Sequence, residues 1–441
     1  MNILFIHQNF PGQFLHAAGY LAARGHRVVC LTQHRNGVPP GVERVDYAPP
    51  QAVGPAHPYL QEVDAAVRNA QAAAEACERL DRGGFRPDIV VGHSGWGEIL
   101  YIPDIWPGVK LLGYFEFYYR AAGSDVDFDP EFEIPSQIAM QLRTRNAINH
   151  LCLDAVDWGY TPTKWQHAQY PARHRERISI LHEGVDTDAV CPAPDACLWL
   201  GSGHSFRPGD EVITFAARNL EPYRGFHVFM RALPEVLRRR PEAHCVIIGD
   251  DGVSYGFQPR HAPSWRQQML AELDGTLDTR RIHFVGRLPF HQYLTSLRVS
   301  AVHVYLTYPF VLSWSLMEAL SAGCFVVASR TPPVEEVITD SENGVLVDFF
   351  DTDALADRIC AALRDLRRQA RIRAAARETI RQGYDLRTVC LPGFTALLRT
   401  VMGQQDLPPD DRLKRADGLN GFARYSNRRV SPPSNDARTR R

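Results

Sequence analysis

The chain has 441 residues, 45% of them hydrophobic, and 49 Lys+Arg against 50 Asp+Glu give a formal net charge of −1. This balance excludes the broad basic field that nucleic-acid binding needs, so no nucleic acid is expected as a partner. Only Lys110, Lys164 and Lys414 are lysines, and no Gly-Lys-Ser/Thr sequence occurs, which excludes a Walker-type phosphate loop.

The length predicts about two or three domains, because single hydrophobic cores stop growing at roughly 250–300 residues. The longest apolar runs fall far short of a membrane span, and the N-terminus lacks a basic leader. The nine cysteines form no Cys-x-x-Cys pair, and we expect the closest two, Cys191 and Cys197, to be free thiols. These features predict a cytoplasmic protein.

The first half of the chain alternates short apolar runs with longer amphipathic segments, which is the pattern of strands and helices around a parallel sheet. In chain order we predict strand 3–7, helix 14–23, strand 28–32, helix 60–80, strands 88–92 and 110–115, helix 134–155, and strands 159–161 and 178–181. A proline-rich stretch follows, and residues 191–209 are the predicted linker between domains.

A second series of the same kind begins after the linker. We predict strand 212–216, helix 226–240, strand 244–249, helix 265–273, strand 282–285, helix 290–298, strand 302–306, helix 313–322, strand 325–328 and helix 352–367. The predicted fold is α/β, with two doubly wound Rossmann-like domains, 1–190 and 210–389, facing each other across a cleft. A helix is expected over 390–403, and the polar, proline-containing tail 404–441 is expected to be disordered.

Several ordered motifs are more specific than this general pattern. They are ARNLEPYRG at 217–225, FVGRL at 284–288, LMEALSAG at 316–323 and GVD at 184–186. Together they resemble the GT-B glycosyltransferases of family four (group 1), over about residues 1–400. The sequences QNFPGQF at 8–14 and FDPEF at 128–132 further resemble a bacterial subgroup with a distinct acceptor-side domain. The resemblance implies the GT-B fold and sugar transfer.

The resemblance also implies a site for a nucleotide-diphosphate sugar as co-substrate, without a metal or another cofactor. The residues that it assigns to the nucleotide and its phosphates are Arg218, Arg224, Gly286, Arg287, Ser313 and Glu318. Arg218 and Arg224 are expected to hold the diphosphate and stabilise its departure, and Glu318 to accept hydrogen bonds from the ribose. These three are the predicted catalytic residues.

Two of these assignments have local alternatives. The two arginines could be ordinary surface residues of an arginine-rich chain. Glu318 could close a capping box that begins at Ser315. Ser313 begins the same predicted helix, whose N-terminal N–H groups would face the leaving phosphate.

The chain departs from the family at a residue that is expected to bind the donor sugar. The family has two glutamates with seven residues between them, and Phe310 stands where the first belongs. The role of this first glutamate is therefore missing, or it passes to Tyr308, Ser313 or backbone groups. The residues expected to contact the donor sugar or the acceptor are Gly12, His93, Glu116 and Tyr308.

Two further clusters have open interpretations. Asp125, Asp127 and Asp129 have the spacing of an Asp-x-Asp metal motif, but they are interpreted as a solvated or acceptor-side loop. The arginines between 364 and 381 are expected to form a solvated helix face, and contact with an anionic membrane is the alternative.

The predicted activity is hexosyl transfer from a nucleotide-diphosphate sugar to a hydroxyl of a saccharide or lipid-linked acceptor, as in bacterial polysaccharide biosynthesis. By resemblance it is retaining and metal-independent. The alternatives are a sugar-nucleotide epimerase of GT-B fold and a nucleotide-sugar binding protein with impaired transfer. The expected location is the cytoplasm, with peripheral contact at the inner face of the membrane as the open alternative.

Overall fold

The computed structural model describes residues 1–34, 36–54, 56–201 and 203–403, with backbone alone at 366 and 367. The predicted tail 404–441 lies outside these residues. The N-terminal sheet has seven parallel strands in the order β3-β2-β1-β4-β5-β6-β7. Its strands are β1 (Asn2–Ile6), β2 (Arg27–Thr32), β3 (Val42–Asp46), β4 (Ile89–His93), β5 (Lys110–Tyr114), β6 (Trp158–Thr161) and β7 (Ile178–Ile180).

Helices cover both faces of this sheet. They are α1 (Leu15–Ala22), α2 (Gln61–Arg82), α3 (Ile102–Ile105), α4 (Ile138–Arg145), α5 (Ala147–Ala155), α6 (Lys164–Gln169) and α7 (Ala172–Arg175). The predicted helix 134–155 is therefore two helices, divided at Asn146, whose side-chain amide donates to the backbone carbonyl of Tyr119 at 2.7 Å. Strand β3 was not predicted, because it lies at the sheet edge and carries the exposed Glu43, which pairs with Arg27.

The C-terminal sheet has six parallel strands in the order β12-β11-β10-β13-β14-β15. A short antiparallel hairpin, β8 (Leu198–Trp199) and β9 (Ser205–Phe206), precedes it inside the predicted linker. The sheet strands are β10 (Val212–Asn219), β11 (His244–Asp250), β12 (Ile282–Gly286), β13 (Val302–Tyr305), β14 (Val326–Ser329) and β15 (Val345–Val347). The prediction of two doubly wound parallel sheets is confirmed, although β15 and the hairpin were missed.

The helices of this half are α8 (Phe226–Arg239), α9 (Trp265–Glu272), α10 (Phe290–Val299), α11 (Trp314–Ser321), α12 (Pro332–Glu335), α13 (Thr352–Ala362) and α14 (Leu366–Gly383). The predicted helix 352–367 thus ends early, and α14 starts after Asp365, whose carboxylate accepts the Arg368 N–H. No helix of the described residues is both long and apolar enough to cross a membrane. All nine cysteines are free, including Cys191 and Cys197.

The last described helix, α15 (Leu391–Val401), returns to the N-terminal domain. Its apolar face, made of Leu391, Phe394 and Leu398, packs into the core cluster that contains Phe5 of β1. The Phe394 ring lies 5.9 Å from that of Tyr160 in β6. The chain therefore crosses between the domains twice, and both ends of the described chain are held by the first sheet.

This return predicts the effect of Phe394→Ala. The variant should lose about 3–5 kcal/mol of the free energy of unfolding, because a buried aromatic ring is removed and a cavity is left. Urea unfolding followed by circular dichroism measures the loss. The exposed Thr400→Ala on the same helix is the control and should stay within about 0.5 kcal/mol of the unmodified chain. Equal stability of the two variants would show that α15 does not contribute through this face.

Candidate active site

Four of the predicted nucleotide residues line one pocket of the C-terminal domain. The pocket lies at the carboxyl ends of β10, β11 and β12 and at the start of α11, where parallel sheets bind ligands. Its lining includes Arg218, Arg287, Ser313 and Glu318. Arg218 is exposed, and Arg287 pairs with Asp250 through a 2.5 Å contact. The pocket therefore combines two guanidinium groups with a helix N-terminus.

Gly286 contributes backbone geometry to this pocket. It ends β12 with φ of 64°, in the left-handed region that glycine adopts without strain, and Arg287 follows directly. The turn places Arg287 in the pocket lining, whereas Gly286 is not among the lining residues.

Helix α11 presents its N-terminus to the pocket. Ser313 is the N-cap, and its hydroxyl accepts the Ser315 N–H at 3.3 Å. The capping-box interpretation of Glu318 is therefore wrong, because the N-cap is Ser313, two residues before Ser315. Burial raises the pKa of the Glu318 carboxyl to about 7. Glu318 thus reaches the pocket as a carboxyl group that titrates near neutral pH.

Arg224 is placed differently from Arg218. Its guanidinium is buried, and Nη1 donates to the Thr307 hydroxyl at 2.8 Å and to the Val311 carbonyl at 3.1 Å. The Tyr305 hydroxyl lies 3.3 Å away as a further acceptor. Arg224 is not among the residues that line the pocket. The Nη1 atom of Arg224 thus holds the loop after β13, and its expected contact with the diphosphate stays a prediction.

Phe310 is part of an aromatic cluster between the domains. Its ring lies 4.6 Å from Phe117 of the N-terminal domain and 4.8 Å from Tyr255 of the C-terminal domain. Val311 and Trp165 pack against the same cluster. The position where the family has a carboxylate is thus filled by a ring that joins the two halves of the cleft.

The N-terminal side of the cleft holds a chain of polar contacts that begins at His7. The His7 Nδ1 accepts the Asn9 N–H at 2.9 Å, so Nε2 carries the proton and donates to the Gln13 Oε1 at 2.8 Å. The Gln13 amide then donates to the Glu116 Oε1 at 2.9 Å. Burial lowers the pKa of His7 to about 3, which keeps this ring neutral.

His93 completes this polar chain. Its Nε2 lies 3.4 Å from the second oxygen of Glu116, and its ring stacks on Trp96 at 4.2 Å. Burial raises the pKa of Glu116, but His93 and the charge of Arg218 outweigh it and leave the carboxyl below its usual range. The structure therefore brings the predicted His93 and Glu116 together and places them within the field of Arg218 across the cleft.

Sequence reasoning missed His7 and Gln13 as members of this group. Both lie in or beside the QNFPGQF sequence after β1, which is the signal that could have found them. Gly12 of the same sequence has φ of 46°, and a Cβ there would meet the His7 ring at 2.5 Å. Glycine is therefore required at this position because the backbone approaches His7 closely.

Residues 120–133, which we call the strap, extend from the N-terminal domain onto the C-terminal domain. Phe128 and Phe132 pack against the core of the C-terminal domain. Tyr223 donates its hydroxyl to Asp125 at 2.9 Å, and Arg231 pairs with Glu131 at 2.6 Å. The interpretation as a solvated loop is wrong for Asp125 and Asp129, which are buried, whereas contact with the acceptor stays a prediction.

Asp129 is the central polar group of the strap. Its buried carboxylate accepts from the Tyr308 hydroxyl and lies 3.1 Å from the His227 Nε2. Burial raises the pKa of Asp129, but these hydrogen bonds outweigh it and leave the pKa below its usual value. Tyr308 is therefore not the sugar ligand that we expected, since its buried hydroxyl is bound to the strap.

The three strap aspartates do not converge as a metal motif would. Asp127 accepts the backbone N–H groups of Gly123 and Ser124, whereas Asp125 and Asp129 bind side chains of the C-terminal domain. Among the described residues, Asp129 and Glu131 are the strap residues that belong to a potential ligand group, together with His227.

The arginine run is also less exposed than predicted. Arg373 donates to the carbonyls of Ser300 and Ala301 at 2.9 and 2.7 Å. Arg377 donates to the Ser321 carbonyl at 2.6 Å and to that of Thr187 at 3.1 Å. These two arginines thus bind backbone acceptors inside the protein, which contradicts a wholly solvated helix face.

Two family models match the chain. The Glycosyl transferase family 4 group matches residues 24–190, and Glycosyl transferases group 1 matches residues 203–379. Together they cover every strand of the two sheets except β1. The first therefore includes Glu116 and His93, and the second includes all the residues that line the pocket.

The curated relatives that match this chain include two enzymes that are less than 30% identical to it. A GDP-mannose-dependent alpha-(1-6)-phosphatidylinositol monomannoside mannosyltransferase of Mycolicibacterium smegmatis is 29% identical over 52% of this chain and 57% of its own. A D-inositol 3-phosphate glycosyltransferase of Corynebacterium efficiens is 27% identical over 70% of this chain and 71% of its own. The chain spans about half the length of most of the other curated relatives that it matches.

Solved structures share the fold. Sucrose-phosphate synthase of Thermosynechococcus elongatus superposes with a TM-score of 0.70 at 16% identity, over 91% of this chain and 99% of that chain. Anabaena Alr3699/HepE in complex with UDP superposes with a TM-score of 0.63 at 17% identity, over 91% and 100%. The predicted GT-B fold is confirmed.

The strap contact predicts the effect of Asp129→Asn. The variant should lose about 2–4 kcal/mol of the free energy of unfolding at neutral pH, because a buried charged acceptor is removed from His227 and Tyr308. Since the pKa of Asp129 is lowered by folding, this contribution is complete above the unfolded value and is lost as the pH falls through the folded one. The difference from the unmodified chain should therefore shrink below about pH 4.

Urea unfolding at several pH values measures this difference. The exposed Asp127→Asn, in the same strap, is the control and should lose less than about 1 kcal/mol. Equal losses in both variants, or a loss that is independent of pH, would contradict the assigned role of Asp129.

Proposed function

We propose that this chain, which belongs to the group 1 glycosyltransferases, transfers a sugar from a nucleotide-diphosphate donor to an acceptor hydroxyl. The observation that carries the proposal is the shared pocket of Arg218, Arg287, Ser313 and Glu318, opposite Glu116. Two guanidinium groups and a helix N-terminus suit a diphosphate, and a carboxylate suits the ribose hydroxyls.

The proposed transfer breaks the bond between the anomeric carbon and the β-phosphate oxygen and forms a bond from that carbon to the acceptor oxygen. The bonding electrons leave with the diphosphate, where Arg218 and Arg287 stabilise the added charge. The acceptor proton passes to the leaving phosphate on the same face of the sugar, which retains the anomeric configuration. The arginines supply the positive charge that a metal supplies elsewhere, so we propose a metal-independent reaction.

Glu116 and His93 form the proposed acceptor side. Glu116 is the more exposed of the two, and its carboxylate can accept a hydrogen bond from the incoming hydroxyl. The named relatives use GDP-mannose or act on D-inositol 3-phosphate, and HepE binds UDP. We therefore propose a nucleotide-sugar donor and a saccharide or lipid-linked acceptor.

A second candidate is a nucleotide-sugar binding protein with impaired transfer. Phe310 favours it, because this ring fills the position of a family carboxylate that would bind donor-sugar hydroxyls. A sugar-nucleotide epimerase of the same fold is a third assignment, and it would release free products without an acceptor.

We also propose a cytoplasmic location, with peripheral membrane contact as the alternative. Arg373 and Arg377 cannot serve that contact, because their donors are bound to backbone carbonyls. The exposed Arg371 and Arg381 of α14 are the positions where anionic lipid would bind.

The test is calorimetric titration with UDP-, GDP- and ADP-sugars, followed by transfer and hydrolysis assays with the sugar that binds. Arg218→Ala should weaken that binding about 10–100-fold, because charge-assisted hydrogen bonds contribute about 1.5–3 kcal/mol. Arg371→Ala, an exposed arginine of α14, is the control and should bind normally. Affinity of Arg218→Ala within about twofold of the unmodified chain would exclude the phosphate site. Binding without turnover would favour the nucleotide-sugar binding protein with impaired transfer. Turnover without an acceptor would favour the sugar-nucleotide epimerase.

The pKa of Glu318 predicts how nucleotide-sugar affinity depends on pH. Because burial raises this pKa to about 7, the carboxyl is largely protonated at pH 6 and ionised at pH 8. The ionised form is the better acceptor for ribose hydroxyls, so affinity should rise across this range. A nucleotide-diphosphate sugar has no phosphate proton to lose there, so titration calorimetry between pH 6 and 8 reports the protein. Glu318→Gln should bind more weakly and without this pH dependence, and an unchanged dependence would contradict the assignment.

A further inference from the structure

Three histidines lie together at the end of the C-terminal domain that is remote from the pocket. His204 belongs to the loop between β8 and β9, His244 begins β11, and His283 is the second residue of β12. The pocket lies at the carboxyl ends of these strands, so the histidines and the pocket occupy opposite ends of the sheet. All three are half-buried.

The ring nitrogens of the three histidines converge. One nitrogen from each ring lies within 4.8 Å of the other two. The His244 Nδ1 and the His283 Nε2 are 3.0 Å apart, and the two rings are stacked with centroids at 5.2 Å. The His204 ring centroid lies 4.9 Å from that of His283. Ligand atoms of a tetrahedral zinc ion are about 3.3 Å apart, because Zn–N bonds are about 2.0–2.1 Å long.

His244 and His283 are partly withdrawn from water. Burial and the neighbouring histidines lower the pKa of His283 to about 4, and burial also lowers the pKa of His244. The Phe206 ring lies 5.2 Å from the His244 ring and shields one side of the group.

From this geometry we propose that His204, His244 and His283 form a binding site for a divalent transition-metal ion, with Zn²⁺ as the expected occupant. Three imidazole ligands suit zinc, and they leave a fourth position for water. The three come from a linker hairpin and two strands, so the ion would tie the hairpin to the sheet edge. The site is independent of the proposed sugar transfer.

The second group of potential ligands in the described residues, Asp129, Glu131 and His227, is a weaker candidate. Asp129 already accepts hydrogen bonds from Tyr308 and His227, and Glu131 is paired with Arg231 at 2.6 Å. Binding a metal there would break the contacts of the strap. In the histidine group, by contrast, the His244 Nδ1 and the His283 Nε2 already face each other at 3.0 Å.

The test measures zinc binding by the full chain, purified without an added histidine tag and stripped with a chelator. Equilibrium dialysis against Zn²⁺ with elemental analysis should give about one tightly bound ion per chain. His204→Ala and His283→Ala should each weaken binding by at least about 100-fold, since loss of a ligand exceeds the effect of an outer-shell change. His261→Ala, an exposed histidine of the same domain, is the matched control and should bind normally.

Cobalt provides a second readout. Co²⁺ in the stripped chain should give the intense visible absorption of a four-coordinate site, and this absorption should be absent in His204→Ala. Circular dichroism and melting temperature confirm that each variant is folded.

Hydrogen exchange in the β8–β9 hairpin should slow when zinc is added to the unmodified chain and remain unchanged in His204→Ala. Equal zinc binding by the unmodified chain and His204→Ala, or no tight ion in either, would overturn the proposal. Sugar transfer is not used as a readout, so failure of the proposed function would leave this test intact.

Discussion

The buried carboxylate of Asp129 sets the relation between the two domains. A buried carboxylate requires hydrogen-bond donors, and Asp129 takes them from Tyr308 and His227 of the opposite domain. Because Tyr308 belongs to the loop between β13 and α11, the strap fixes the loop that leads into the proposed nucleotide pocket. The packing of Phe128 and Phe132 on the C-terminal core excludes water from this contact. The Asp129 carboxylate of one domain thus depends on hydrogen-bond donors of the other, and this contact holds the two domains together.

The position of the loop between β13 and α11 explains why Phe310 can stand where the family has a glutamate. With Tyr308 held by the strap, Phe310 lies against Phe117 and Tyr255. Arg224 then finds its acceptors in the same loop, at Thr307 and the Val311 carbonyl. These contacts both come from the Nη1 atom of Arg224, so one nitrogen of the guanidinium holds this loop. Arg224 and Phe310 therefore both hold the loop between β13 and α11 in place.

Features that depend on local sequence could be predicted. Arg218 and Glu116 follow from the rule that functional side chains gather at the carboxyl ends of parallel strands, and Ser313 from the pattern of a helix start. Features that depend on distant partners could not. Tyr308 and Asp129 are 179 residues apart, and Arg224 and the Val311 carbonyl are 87 apart. A polar residue beside a site looks the same in sequence whether its partner is a ligand or a distant element. Short edge elements such as β3 and the β8–β9 hairpin carried too little apolar pattern to be found.

The arginines of α14 illustrate how such a distant contact can serve the pocket. Helix α11 directs its N-terminus, with its partial positive charge, at the pocket, and it therefore ends in carbonyl groups of partial negative charge. Arg377 donates to the carbonyl of Ser321, the last residue of α11, and Arg373 to that of Gly323 beyond it. A cation is favourable at the C-terminus of a helix, just as an anionic phosphate is favourable at its N-terminus. Arg373 and Arg377 thus bind the C-terminal end of the helix whose N-terminus faces the pocket, without reaching the cleft themselves.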